Sequence, residues 1–137
     1  MTDGPARVLQ TALIAALRAD AGVAALVAAR VYDEPPQGVV FPYLRLGTLD
    51  LRPLRLSGSC IDEDIVFSIE AHSRPVAGRV EAARMAHAVR MALDGATPAL
   101  VGYRVDWIDF RTQAVSRAQD GKSYIATIAF AAALSPA

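Results

Sequence analysis

The chain predicts an α+β fold: an antiparallel sheet of about four strands, two helices packed on one face, and a long C-terminal hairpin. Three observations predict it. Apolar residues recur at helical spacing near the N-terminus and again between residues 77 and 94. They alternate at strand spacing from residue 65. Asp120-Gly121 then divides the last third into two strand-like runs.

The first helix starts at Pro5, a residue suited to the first helical turn. Leu9, Ala12, Leu13, Ala16 and Leu17 form its apolar face, and Gly22 is its expected stop. A short second turn is expected over Val23 to Ala29, then a brief extended piece at Val31-Tyr32-Asp33. Pro35-Pro36 forces an open loop after it. Phe41 to Gly47 has strand composition, and Pro42 marks its start as an edge. Leu49, Leu51, Leu54 and Leu56 continue an apolar rhythm, which Pro53 is expected to break. Ser57-Gly58-Ser59-Cys60 reads as a turn, with Asp62-Glu63-Asp64 extending its polar character.

Ile65, Phe67, Ile69 and Ala71 alternate with Val66, Ser68, Glu70 and His72, which describes a half-buried strand. The main helix is expected from Ala77 to Asp94, with Ala82, Met85, Ala86, Val89 and Leu93 on one stripe and Gly95 just past its end. In the next strand Tyr103, Val105 and Trp107 hold one phase, whereas Ile108 and Phe110 hold the other. A bulge near Asp106 or Trp107 reconciles them. The final strand is apolar on both faces: Ile128, Phe130, Ala132 and Leu134 on one, Ile125, Ala129, Ala131 and Ala133 on the other. Such a strand needs cover on both sides, by a helix and by another subunit.

Bulk numbers narrow the function. At 137 residues the chain predicts one domain, spanning 1–137, with enough length for a real core. Lys plus Arg total 14 and so do Asp plus Glu, so there is no overall basic excess of the kind that drives nucleic-acid binding. Neutrality also removes one barrier to self-association. The lone Cys60 rules out an internal disulfide and suits a reducing compartment. Met1-Thr2-Asp3-Gly4-Pro5 lacks the basic start of a signal peptide, and the apolar stretches fall short of the ~20 residues that span a bilayer.

The candidate chemistry is sparse. His72 and His87 are the only imidazoles, and with one cysteine they do not supply the ligand set of a zinc site. Asp62, Glu63 and Asp64 carry enough charge for a hard cation but lack the spacing of a calcium loop. They read as a solvated acidic loop or as a contact to a neighbouring subunit through Arg45, Arg52 or Arg55. Cys60 has no base beside it, and the acids that follow would raise its pKa. Arg74, Arg79, Arg84 and Arg90 read as a solvated helix face with local ion pairs, or as a basic stripe for phosphate. Asp106, Asp109 and Arg111 surround Trp107, which is equally suited to a core or to an interface. No catalytic, cofactor-binding or metal residue is expected. A compact fold with so little site chemistry works through its surfaces.

The order of these pieces resembles a known family. Leu9-Gln10-Thr11-Ala12-Leu13 with Leu17-Arg18-Ala19-Asp20 resembles its N-terminal helix. Arg30-Val31-Tyr32-Asp33, then Pro35-Pro36-Gln37 and Phe41-Pro42-Tyr43-Leu44, resembles its most recognisable stretch. His72-Ser73-Arg74, the helix after it and the hairpin at Asp120-Gly121 match in order. The family is the phage-type tail-completion proteins of tailed phages, prophages and gene transfer agents. The resemblance implies a tail terminator, a structural virion protein without enzymatic activity or cofactor. Its ring, usually a hexamer, caps the tail tube and joins it to the head connector or stopper protein. The expected partners are copies of itself, the tube protein and the connector, with no specific nucleic-acid sequence and no membrane. The expected location is the tail or neck of a particle assembled in the bacterial cytoplasm.

Leu54, Leu56, Ser57, Asp62, Glu63, Asp64 and Trp107 are the expected subunit-interface residues. Deleting Ser57 to Asp64 is expected to abolish the ring while leaving the monomer folded. Two other readings compete. A dimeric α+β ligand-binding module predicts a tight dimer with a hollow core. A small hydrolase or transferase would use Asp62, Glu63 or His72.

Overall fold

The computed structural model describes residues 4–55, 61–74 and 79–137. The elements run α1 (Pro5–Ala19), α2 (Ala21–Val27), β1 (Val31–Tyr32), β2 (Tyr43–Arg55), β3 (Ile61–Ser73), α3 (Val80–Leu93), β4 (Tyr103–Arg117) and β5 (Tyr124–Pro136).

Pro5 opens α1, and Leu9, Leu13 and Leu17, one turn apart, are fully buried. The helix stops at Asp20, not at Gly22. The Asp20 N–H donates back to the Ala16 carbonyl at 3.1 Å, and its carboxylate accepts from the Val23 N–H at 3.0 Å. One residue therefore ends α1 and caps α2, and Gly22 lies inside α2. The second turn is thus a helix in its own right. Helix α3 buries Ala82, Met85, Ala86, Val89 and Leu93, the stripe read from the sequence. Gly95 follows at φ +77°, a conformation that a side chain would strain, and its N–H reaches the Ile108 carbonyl at 2.8 Å.

The sheet has five strands in the order β1-β2-β3-β5-β4, and all pairs are antiparallel except β1 with β2. The expectation of about four antiparallel strands and two helices is corrected to five mixed strands and three helices among the described residues. The extra strand is short: Val31 and Tyr32 pair with Leu44 and Arg45 only.

Beyond Arg45, β2 has no partner on its outer side among the described residues, which explains how it runs through Pro53. A residue without an N–H is tolerated where no neighbour needs that donor. Asp62, Glu63 and Asp64 correspondingly lie in β3 rather than in a loop. Deleting Ser57 to Asp64 would remove part of that strand and unbalance the sheet itself. Ser57 to Cys60, and Ala77 at the expected start of the main helix, fall outside the described residues.

Three irregularities set which side chains face the core. Between Leu46 and Leu49 a bulge at Gly47 and Thr48 keeps Leu44, Leu46, Leu49 and Leu51 on one side. A Cβ on Gly47 would collide with the Ser68 hydroxyl, which instead accepts from the Thr48 N–H at 3.0 Å. The register shift at Asp106 lets Val105 and Ile108 both reach the core and turns Trp107 to the opposite side, as the mixed phase of β4 requires. A second shift lies between Phe110 and Thr112. The β4–β5 connection is wider than a two-residue hairpin. Ala118 N–H donates to the Ser123 carbonyl at 2.8 Å, and Asp120 accepts from Lys122 N–H at 2.8 Å.

All three helices pack on one face of the sheet. Phe67 and Phe130 stack at 5.1 Å between centroids at its centre, both fully buried, and Phe110 meets Phe130 edge-on at 6.1 Å. Among the described residues no single helix is long and apolar enough to cross a membrane.

Candidate functional site

The face of the sheet opposite the helices has no cover among the described residues. Strand pairing sorts its side chains into rows, because directly opposed residues share a face. One row reads Arg52–Asp64–Ala133–Trp107, and the next Asp50–Val66–Ala131–Asp109. Further along come Ser68–Ala129–Thr112, Arg45–Glu70–Thr127–Ala114 and Tyr43–His72–Ile125–Ser116. The middle of this surface is small and apolar, with charge at its flanks. Val66 is 51% exposed and Trp107 38%. Large apolar side chains left partly in water on an open sheet face are a mark of contact with another surface.

Two of the interface residues expected from sequence, Asp64 and Trp107, therefore stand in one row. Leu54 and Asp62 are paired across β2 and β3 by backbone register. Glu63 is opposite Leu134, in the phase that faces the helices, and its Oε2 is buried with no hydrogen-bond partner among the described residues. Leu56 and Ser57 lie outside the described residues. Strand alternation puts Glu63 and Asp64 on opposite faces, so these two carboxylates do not converge on one cation. Among the described residues no group of three His, Cys, Asp or Glu side chains is placed to hold a metal. Asp50, Arg52, Asp64 and Val66 line a hollow of about 360 Å³ on the open face.

Of the remaining candidates, His72 is packed rather than free. His72 is 9% exposed, stacks on Tyr43 at 4.7 Å and meets Glu70 Oε1 at 2.9 Å through Nε2. Burial pushes the Tyr43 phenol pKa up. His87 is exposed on α3. The space between helices and sheet, lined by Val23, Val27, Leu44 and Met85, is too small for a water, so the hollow core of a ligand-binding module is not present there.

Among the described residues Arg74, Arg79, Arg84 and Arg90 form none of the local ion pairs expected of them. Arg74 lies 4.4 Å from the Phe41 ring centroid, Arg90 4.1 Å from Phe110, and Arg79 5.6 Å from Tyr124. Arg117 also lies over Tyr124, at 5.4 Å, and donates to its hydroxyl at 3.0 Å. That hydrogen bond, aided by the charges of Arg117 and Arg79, holds the Tyr124 pKa below the ordinary phenol value. The sequence placed Arg74 and Arg79 on the approach to one helix. It gave no signal that Arg117, 38 residues beyond Arg79, shares the same ring, because only the β3–β5 register brings Tyr124 beside Ser73.

The comparisons with known proteins agree with this surface-dominated picture. The family model described as "Tail completion protein gp17" matches residues 11–135. A chain in a solved structure described as the virion of a native gene transfer agent (GTA) particle is 30% identical, with a TM-score of 0.88. The match covers 98% of this chain and 99% of that one. A search of curated proteins finds no match. The chain belongs to the tail completion protein gp17 family and is a phage-type tail structural protein, from a family of virion components rather than of enzymes.

Proposed function

We propose that residues 1–137 form a single tail-terminator domain. Copies assemble into a ring, a hexamer, that caps the tail tube and joins it to the head connector or stopper protein. The particle is a phage or a phage-like gene transfer agent, built in the bacterial cytoplasm, and the ring sits in its tail or neck. Family membership supports the tail assignment. The observation that carries assembly is the uncovered sheet face, where Val66 and Trp107 flank an alanine-lined centre. Asp64 and Trp107 belong to the subunit contact. Leu54, Leu56, Ser57, Asp62 and Glu63 extend it at the β2–β3 end.

Light scattering over a wide concentration range, with and without tail-tube protein, tests this reading. A hexamer, or a monomer recruited to tube ends, is the expected result. A concentration-independent dimer that ignores tubes would overturn it.

A further inference from the structure

The charges of this neutral chain are not evenly spread. At one end of the sheet, Arg74 follows β3, Arg79 precedes α3, Arg117 closes β4 and Lys122 sits in the β4–β5 loop, all exposed. Arg79 and Arg117 share the Tyr124 ring. Among the described residues none of these four cations has a carboxylate within 4 Å. Acids at this end have hydrogen bonds of their own, Glu70 with His72 among them. Asp120 accepts from the Lys122 and Ser123 N–H groups, and Glu81 accepts from the Ser73 hydroxyl at 2.6 Å. Packing two guanidinium groups on one phenol, with no carboxylate within 4 Å of either among the described residues, leaves an excess of positive charge there.

The complementary surface is on the same chain, at the far end of the strands. The hollow on the open face is lined by two carboxylates, Asp50 and Asp64, against one guanidinium, Arg52. The row that runs out of it, Asp50–Val66–Ala131–Asp109, has an aspartate at each end and only apolar residues between. Its volume of about 360 Å³ is ample for an arginine head group. Two hollows placed face to face would oppose carboxylates to carboxylates, and two basic ends would repel likewise. A self-complementary two-fold dimer through either surface is therefore disfavoured. A head-to-tail contact is favoured, and such contacts close into rings when the rotation permits.

We infer that the basic end around Tyr124, with Arg79 and Arg117 foremost, docks on the open sheet face of a second copy at the hollow between Asp50 and Asp64. The occupant is protein rather than nucleic acid. Four cations interrupted by ionised Asp120 suit a partner bringing both signs of charge better than a continuous run of phosphates. This inference rests on the ring reading and specifies its contact.

A charge exchange tests it. One variant carries Arg79→Glu and Arg117→Glu, the other Asp50→Lys and Asp64→Lys, and mass is followed by light scattering with circular dichroism as the check on folding. Each variant alone should lose self-association by at least about 100-fold, because like charges then meet at every contact. Mixed in equal amounts, they should assemble again, since each interface regains opposite charges. Variants that assemble alone like the parent, or a mixture of folded variants that stays monomeric, would overturn this contact while leaving a ring possible through other surfaces. A parent chain that stays monomeric at all concentrations, with and without tail-tube protein, would overturn the contact and the ring together.

Discussion

On the helix side of β5, Ala126, Ile128, Phe130, Ala132 and Leu134 are all within 1% of complete burial. On the other side, Ile125, Thr127, Ala129 and Ala131 keep contact with solvent. Both sides are apolar, but their side chains differ in size. The covered face interlocks large groups such as Phe67 and Phe130, whereas the open face offers alanines between charged flanks. Large interlocking side chains supply stability, because each buries much area and leaves a cavity when removed. Small ones contribute little to the monomer but let another surface approach the backbone closely. One strand thus builds the core on one side and, in the assembly proposed above, meets another copy on the other.

Phe130→Ala, on the covered face, is expected to cost about 3–5 kcal/mol, measured by denaturant unfolding. A loss below 1 kcal/mol would mean that the aromatic stack does not hold the core. Ala131→Arg changes the neighbouring residue on the opposite face. Unfolding free energy should move by no more than about 1 kcal/mol, while light scattering shows loss of assembly. Asp20→Ala removes the carboxylate that caps α2, at a distance from the open face. It is expected to cost about 1 kcal/mol and to leave assembly unchanged.

The smallest effect is expected at Asp120. The N–H of Lys122, followed by the hydrogen bonds of Ser123, holds its pKa below the usual aspartate value. A depressed folded-state pKa gives stability that is present above the unfolded value, about 3.9, and lost as pH falls through the folded one. Asp120→Ala should therefore lower the melting temperature slightly at pH 7. Parent and variant should converge as pH drops below 4. Curves that stay parallel down to pH 2 would show that the carboxylate's charge is not what ties the loop.

Much of the covered face was legible in the sequence, because burial writes itself as period. Leu9, Leu13 and Leu17, the stripe of α3 and the alternation from Ile65 to Ala71 each declare a face. Even the irregularity at Asp106 could be read, since Val105 and Ile108 demand one side with two residues between them, which plain alternation forbids. What stayed hidden depended on partners distant in sequence. Pro53 reads as a strand breaker unless β2 is known to be an outer strand there, and the short β1 has too few residues to show a period. Asp64 and Trp107 are far apart in the sequence. Only register shows that they lie in one row with Ala133 between them. The gathering of Arg79 and Arg117 on Tyr124 was invisible for the same reason.

Trp107 is the only tryptophan in the chain and lies within the open face, so its fluorescence reports that surface alone. The most direct test of assembly through this face is quenching of Trp107 by acrylamide, in the dilute chain and in the assembled state. Strong quenching when dilute and protection on assembly is the predicted result. Equal quenching in both states, with mass confirming assembly, would contradict it and move the subunit contact to another surface.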